Sequence, residues 1–404
     1  MQLQKLLSVA MLALAACTGP SPESNDVALA SDAGDTAALI ADDATGDAAA
    51  ADSNAADPTD ASAVIASDAA DAPPPCPAEL AERGRCPNLS SYGLFVIRGH
   101  EAMPTEGNIA YDVISPLFSD SATKHRYLRL PAGGRIGWQP DGAWRFPIGT
   151  ILSKTFEYPV DERNPSLGQR RIETRVLVRS AAGFVGATYV WNADQLDATL
   201  ETVGASMPVS WIDRQGAPRA FGYRVPDMSQ CTRCHGDDNH PLAVRTLQLD
   251  RDHDDGTGPA NQIDAWARLG MFDSAPPPRS EHLRLTAPTD ATAPLEQRAR
   301  SYLESNCGHC HNSEGFARAT GLFLGIEVTD ASRLGACRTP HYTQDFGGRL
   351  YDIVPGSPEA SVLVFRMAAE HDGERMPLGS QLADPVGLDV VSRWIAAMSP
   401  RVCP

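Results

Sequence analysis

Two copies of the pattern Cys-x-x-Cys-His constrain this chain more than anything else in it: Cys231-Thr232-Arg233-Cys234-His235 and Cys307-Gly308-His309-Cys310-His311. At this composition about 0.005 chance matches to the pattern would be expected, so two copies are not an accident of cysteine content. The spacing has a chemical reason. Two thiols one short helical turn apart can add to the two vinyl groups of a haem. The next residue, a histidine, then reaches the iron from the same side. A redox or zinc cysteine pair would use the thiols and leave each histidine incidental. The reading is therefore two covalently bound haem c groups, attached through Cys231, Cys234, Cys307 and Cys310, with His235 and His311 as iron ligands.

Covalent haem and exported cysteines call for an export signal, and the first residues supply one. Lys5 gives a short positive start, and Leu6 to Ala16 is apolar but too short to span a bilayer. Leu14-Ala15-Ala16-Cys17 then resembles a bacterial lipobox, which implies a diacylated Cys17 at the mature N-terminus. Several acyl chains on one residue suffice for stable anchoring, at about 0.8 kcal/mol per buried methylene. No later segment is apolar enough to span. The expectation is a protein lipid-anchored in the bacterial cell envelope, at the outer membrane, with its folded part in the periplasm or at the cell surface.

Residues 18–75 contain 11 Asp, 1 Glu and no Lys, Arg or His. A segment so poor in bulky residues cannot bury enough apolar surface to offset its ordering entropy, and it reads as a disordered tether. It carries −12 of the net charge of −17, and with the +1 of Lys5 in the leader set aside, −6 is left on residues 76–404. That balance argues against a nucleic-acid partner. The nine cysteines divide cleanly: one for lipid, four for haem, and Cys76, Cys86, Cys337 and Cys403 left over. An even remainder in an oxidising compartment suggests two disulfides. Of the three pairings, Cys76–Cys86 with Cys337–Cys403 keeps each bridge local.

The fold class expected is α+β with several domains: an antiparallel β-rich domain over 76–274 carrying the first haem, then an all-α cytochrome c domain over 275–404 carrying the second. Strand signals include Ile151 to Phe156 and Gly183 to Trp191. Ile172, Thr174, Val176 and Val178 alternate with Arg171, Glu173, Arg175 and Arg179, which predicts a strand with one wet face. Five or more strands follow from such runs. They lead straight into Cys231 with no long helix ahead of it. The sixth ligand of the first haem stays open among Met228, His240, His253, Met271 and none. Met271 also reads as part of an apolar helix face with Trp266, Leu269 and Phe272.

The second motif has a different setting. Leu295, Ala299, Tyr302 and Leu303 share one face of a helix that leads into Cys307. Leu388, Val391, Trp394 and Ile395 share a face near the C-terminus. Ser357 is a sound N-cap with Pro358 at the first helical position, for a helix carrying Val362, Leu363 and Phe365. Met376 follows in a Pro-containing loop, and Met367 reads as core.

These residues carry three resemblances. The C-terminal part resembles a class I cytochrome c. That resemblance implies crossed terminal helices and Met376 as the thioether ligand of the second haem. A sheet placed before a haem motif is similar to the β-sheet haem proteins of the cytochrome P460 type, in which a lysine cross-links to the haem. That likeness implies such a role for Lys154; read from its strand alone, Lys154 is a solvated lysine. As a whole the chain resembles a largely uncharacterised family of bacterial dihaem c-type cytochrome lipoproteins. The matching features are the lipobox, Pro116-Leu117-Phe118-Ser119-Asp120, Trp144 to Lys154, both haem motifs, Asn261-Gln262-Ile263-Asp264 and Met376-Pro377. This implies electron transfer between envelope redox partners. The competing expectation is a dihaem enzyme, peroxidase-like or P460-like, with an open first haem and no assignable catalytic residues.

Overall fold

A computed structural model describes residue 76 and residues 84–99, 101–140, 142–236, 240–254, 258–341, 345–371 and 373–404. Cys17 and the acidic segment 18–75 lie outside them.

Short β-branched and aromatic runs, each closed by a turn, produce hairpin after hairpin. Strands β1 (Phe95–Arg98) and β2 (Glu101–Pro104) pair by themselves. The next six pair in chain order as one antiparallel meander. They are β3 (Asn108–Tyr111), β4 (Thr123–Arg129), β5 (Ile151–Pro159), β6 (Gln169–Ser180), β7 (Gly183–Trp191) and β8 (Ala198–Glu201). The turn between β6 and β7 fixes register, with Ser180 opposite Gly183, and a Thr155–Thr174 hydroxyl pair at 2.8 Å ties β5 to β6 inside the core. Strands β9 (Ala205–Ile212) and β10 (Pro218–Val225) form a separate hairpin. The expected antiparallel sheet of at least five strands is present.

Side chains alternate between the two faces of the meander. One face buries Val176, Ala187, Tyr189 and Trp191 against Leu89 and Ala198. The other is divided. At one end Leu128 and Leu152 pack with Trp144, Ile263, Trp266, Met271 and Phe272. At the other, Phe156 and Tyr158 pack with Val209, Trp211 and Tyr223 of the β9–β10 hairpin. Between these clusters runs a polar strip in which Arg126 pairs with Lys154 and Lys154 with Arg175 across three strands. Here the expected wet face is corrected. Glu173 is 0% and Arg171 3% exposed, because the hairpin and the side chains of Trp191 and Gln195 cover them.

Helices follow. They are α1 (Met228–His235), α2 (Thr246–Leu249), α3 (Gln262–Arg268), α4 (Leu295–Leu303), α5 (Val362–Ala368) and α6 (Pro385–Ala397). The last three enclose a core of Ala299, Tyr302, Leu303, Leu324, Ile353, Leu363, Met367, Val390, Val391, Trp394 and Ile395. Helices α4 and α6 pack directly, and the approach is close: a Cβ on Gly387 would sit 2.0 Å from Tyr302 Cζ. The helix expected from Ser357 is broken in two. Pro358–Ala360 is a 3₁₀ turn, Ser357 makes no side-chain cap, and the buried Ser361 hydroxyl accepts from Val354 N instead.

The described β-rich and helical parts share one compact unit, and the boundary expected near 275 is crossed repeatedly. Ser115 Oγ donates to Ser301 O at 3.0 Å, and Phe118 N donates to Asn306 Oδ1 at 2.7 Å. Asp120 Oδ1 accepts from the backbone N–H groups of Gln381 and Leu382 at 2.7 and 2.8 Å. Both expected disulfides are present, Cys76–Cys86 and Cys337–Cys403. Among the described residues no helix is long and apolar enough to cross a membrane.

Candidate functional site

Strand β10 delivers the chain into the first Cys-x-x-Cys-His. Asp227 caps α1: its carboxylate accepts from Ser229 N and Gln230 N at 2.8 and 3.1 Å, and Gln230 Oε1 accepts from Asp227 N. This capping box starts a helix that is too short to form without it. Cys231, Cys234 and His235 then fall at i, i+3 and i+4, on one face. Gly236, at φ +71°, ends the helix immediately after the histidine.

The second motif starts differently. Helix α4 runs into a π-helical turn, Glu304–Gly308, that carries Cys307. Glu304 holds that turn. One carboxylate oxygen pairs with Arg245 and the other accepts from Ile326 N at 2.7 Å. Cys307 is buried, and Cys231, Cys234 and Cys310 are partly so.

The two histidines are presented alike. His235 Nδ1 lies 2.8 Å from His240 O, and His311 Nδ1 lies 3.2 Å from Leu322 O. A carbonyl can only accept, so Nδ1 carries the proton in each ring and Nε2 keeps its lone pair. Burial pushes both imidazoles down to about 4, outweighing the carbonyl that favours the charged form. Each histidine is therefore neutral at physiological pH, with the correct nitrogen free for a metal. This is the second-sphere arrangement that an iron-ligating histidine needs, and the sequence offered no signal for it.

The motifs also meet. Cys310 Sγ donates to Arg233 O at 3.5 Å, and the ligand atoms of Cys234, His309 and Cys310 all lie within 4.8 Å of one another. The shared contact lowers the Cys234 thiol and raises the Cys310 thiol. The pair stands 76 residues apart in the chain, and only the folding of helical part on sheet brings it together.

Helix α1, which carries the first motif, packs against β7 and lies within electrostatic range of the polar strip. The charges of Arg175 and Glu173 reach Cys231, and those of Lys154 and Arg175 reach His235. Lys154 is thus not the solvated strand lysine its sequence setting suggests. It is partly buried on the covered sheet face, with its amine held well below the ordinary lysine range by burial and then by Arg175, Arg126 and Lys124.

The remaining candidates separate. Met271 is 6% exposed and packs in the aromatic core with Trp144, Trp266 and Phe272. His240 touches the motif through its backbone carbonyl, which accepts from His235 Nδ1. His253 sits on a short strand, with Nε2 buried and unpaired among the described residues. Met367 is core, as expected, at 4% exposure. Met376 is partly exposed in its proline loop, outside the apolar core, and its N–H donates to Arg366 O at 2.9 Å.

No family model, curated protein or solved structure matches this chain.

Proposed function

We propose that the chain binds two haem c groups and acts as an electron-transfer cytochrome of the bacterial envelope. Cys231, Cys234 and His235 would hold one group, and Cys307, Cys310 and His311 the other, with Met376 as the second iron's sixth ligand. Bound haem supplies reversible one-electron chemistry at iron. The observation that carries the reading is the contact between the motifs. Thioether sulfurs sit at the porphyrin edge, so sulfurs as close as those of Cys234 and Cys310 would set two porphyrin edges side by side. Electron tunnelling falls steeply with edge separation, so edges this close would favour transfer between the two groups. The paired Nδ1–carbonyl contacts support the same reading, because both imidazoles are fixed, neutral and open at Nε2.

Lipidation of Cys17 would hold the protein at a membrane, and the acidic segment 18–75 would give the folded part reach. The partners would then be other redox proteins of the envelope. The test is haem stoichiometry with optical and EPR spectra of the purified ferric protein. Two low-spin haems without reaction towards CO or peroxide are expected for a relay.

Two observations favour other readings. The polar strip beside the first motif, with Met271 packed in the aromatic core, supports an open-site haem enzyme. A high-spin ferric signal confined to one haem would select it. The Cys234–His309–Cys310 trio has the ligand chemistry of a metal site. Purified protein carrying stoichiometric zinc and no haem would select that.

A further inference from the structure

We infer that Lys154 and Arg175 form a binding subsite for an anionic oxygen group beside the first Cys-x-x-Cys-His motif. The inference deepens the haem reading, on which its choice of neighbour rests.

The argument begins with charge. Lys124, Arg126, Lys154 and Arg175 occupy three adjacent strands on the covered part of one sheet face. Like charges directly opposite one another in a sheet are destabilising, and more so away from water. Three of the four cations have protein partners. Arg126 Nη1 pairs with Asp112 at 2.9 Å, and Arg175 Nη2 pairs with Glu173 at 2.5 Å. Lys124 Nζ donates to Leu117 O at 2.5 Å. Lys154 has no hydrogen bond or ion pair among the described residues. Its amine lies 5.0 Å from the centre of the Phe156 ring, over which the Arg175 guanidinium also lies, at 4.5 Å.

The neighbouring acids are committed. Glu173 is fully buried and accepts from Arg175 and from the Tyr223 hydroxyl at 2.5 Å. Asp112 is shared by Arg126 and Arg251, and Asp120 binds two backbone N–H groups. Lys154 is therefore the one basic side chain of the strip left without an acceptor among the described residues, two strands from β7, against which the helix of the first motif packs. A carboxylate or small oxyanion there would offset its charge, with Lys154 as a point donor and Arg175 as a fork. Two sources share this chemistry: a propionate carboxylate of the first haem, or a free oxyanion brought next to the iron.

The test uses haem-loaded full-length protein, wild type, Lys154→Met and Lys154→Arg. Inorganic phosphate is titrated by calorimetry, with the optical spectrum followed in parallel, and the potential of each haem is measured. If the subsite takes a free oxyanion, phosphate binds with a saturable isotherm and shifts the spectrum of one haem. Lys154→Met then weakens binding at least tenfold, and Lys154→Arg restores it. If it holds a propionate, phosphate has no effect, but Lys154→Met lowers the potential of one haem only and Lys154→Arg does not. Wild-type behaviour of Lys154→Met in both readouts overturns the inference. A protein without haem defeats the underlying reading instead, and phosphate calorimetry still decides whether the cations bind an anion. If Lys154→Met does not fold, the same measurements on Arg175→Lys, which keeps charge but loses the fork, show weaker phosphate affinity or a shifted single potential; no change in either overturns the inference.

Discussion

At the scale of single residues, environment decides the chemistry. His235 and His311 are common side chains that one carbonyl each and burial keep neutral with Nε2 free, the state a metal ligand requires. Replacing either by alanine is expected to lose one low-spin haem signal while the other persists. Met376→Ala is expected to lower the potential of one haem, since a soft thioether favours ferrous iron. The other residue-scale prediction concerns Asp352. Burial raises its carboxyl to about 6, against opposing Arg338 and Arg366. The folded state thus holds a proton that the unfolded chain releases near pH 3.8. Its stabilising contribution is complete below that value and is lost as pH rises through about 6. Asp352→Asn is expected to remove this slope and to gain up to ~3 kcal/mol relative to wild type at pH 8 in urea unfolding. An unchanged slope between pH 4 and 7 would contradict it.

At the scale of elements, two close fits hold the second motif. Gly387 lets α6 approach Tyr302 on α4, where an added Cβ would meet the ring at 2.0 Å. Gly387→Ala is expected to cost about 1–3 kcal/mol in thermal or chemical unfolding, through overpacking of the α4–α6 crossing. Asp120, in a left-handed conformation at φ +51°, reaches from the sheet side to the chain just after Met376. Asp120→Ala should cost about 1–3 kcal/mol by leaving two N–H groups without their acceptor. It should also broaden the spectrum of the haem proposed for Cys307, Cys310 and His311.

Element-scale patterns are also what the amino-acid sequence expresses well. Period-two alternation located β5, β6 and β7, and the apolar faces of α4 and α6 could be read from Leu295–Leu303 and Leu388–Ile395. Both disulfides followed from locality. What escaped was tertiary. Arg171, Glu173 and Arg175 look like an exposed strand face because charged residues usually are exposed. Only tertiary packing covers the first two, Tyr223 of the β9–β10 hairpin on Glu173, and Trp191 and Gln195 on Arg171. The Nδ1 acceptors on His240 and Leu322 are backbone atoms, which carry no residue code. The Met271 side chain has the same local pattern as a ligand or a core residue, and packing placed it in the core.

At the scale of the whole molecule, the feature that matters is the meeting of the two motifs. A relay needs its two redox groups in contact and its outer faces available to partners. Cys310 Sγ donates to Arg233 O, which brings Cys234 and Cys310 together, while hydrogen bonds from residues 115–120 also tie the sheet to the helical part. Two haems attached there should influence each other, so a redox titration is expected to show reduction of one shifting the potential of the other. Independent, superimposable titrations would mean that the motifs separate in the working protein. The central claim is tested most directly by the intact mass of the chain after expression in a host able to attach haem c. The account predicts a mass increase equal to two haems, lost one at a time in Cys231→Ala/Cys234→Ala and Cys307→Ala/Cys310→Ala variants. Protein of unmodified mass, with all four thiols free or bound to zinc, would contradict it.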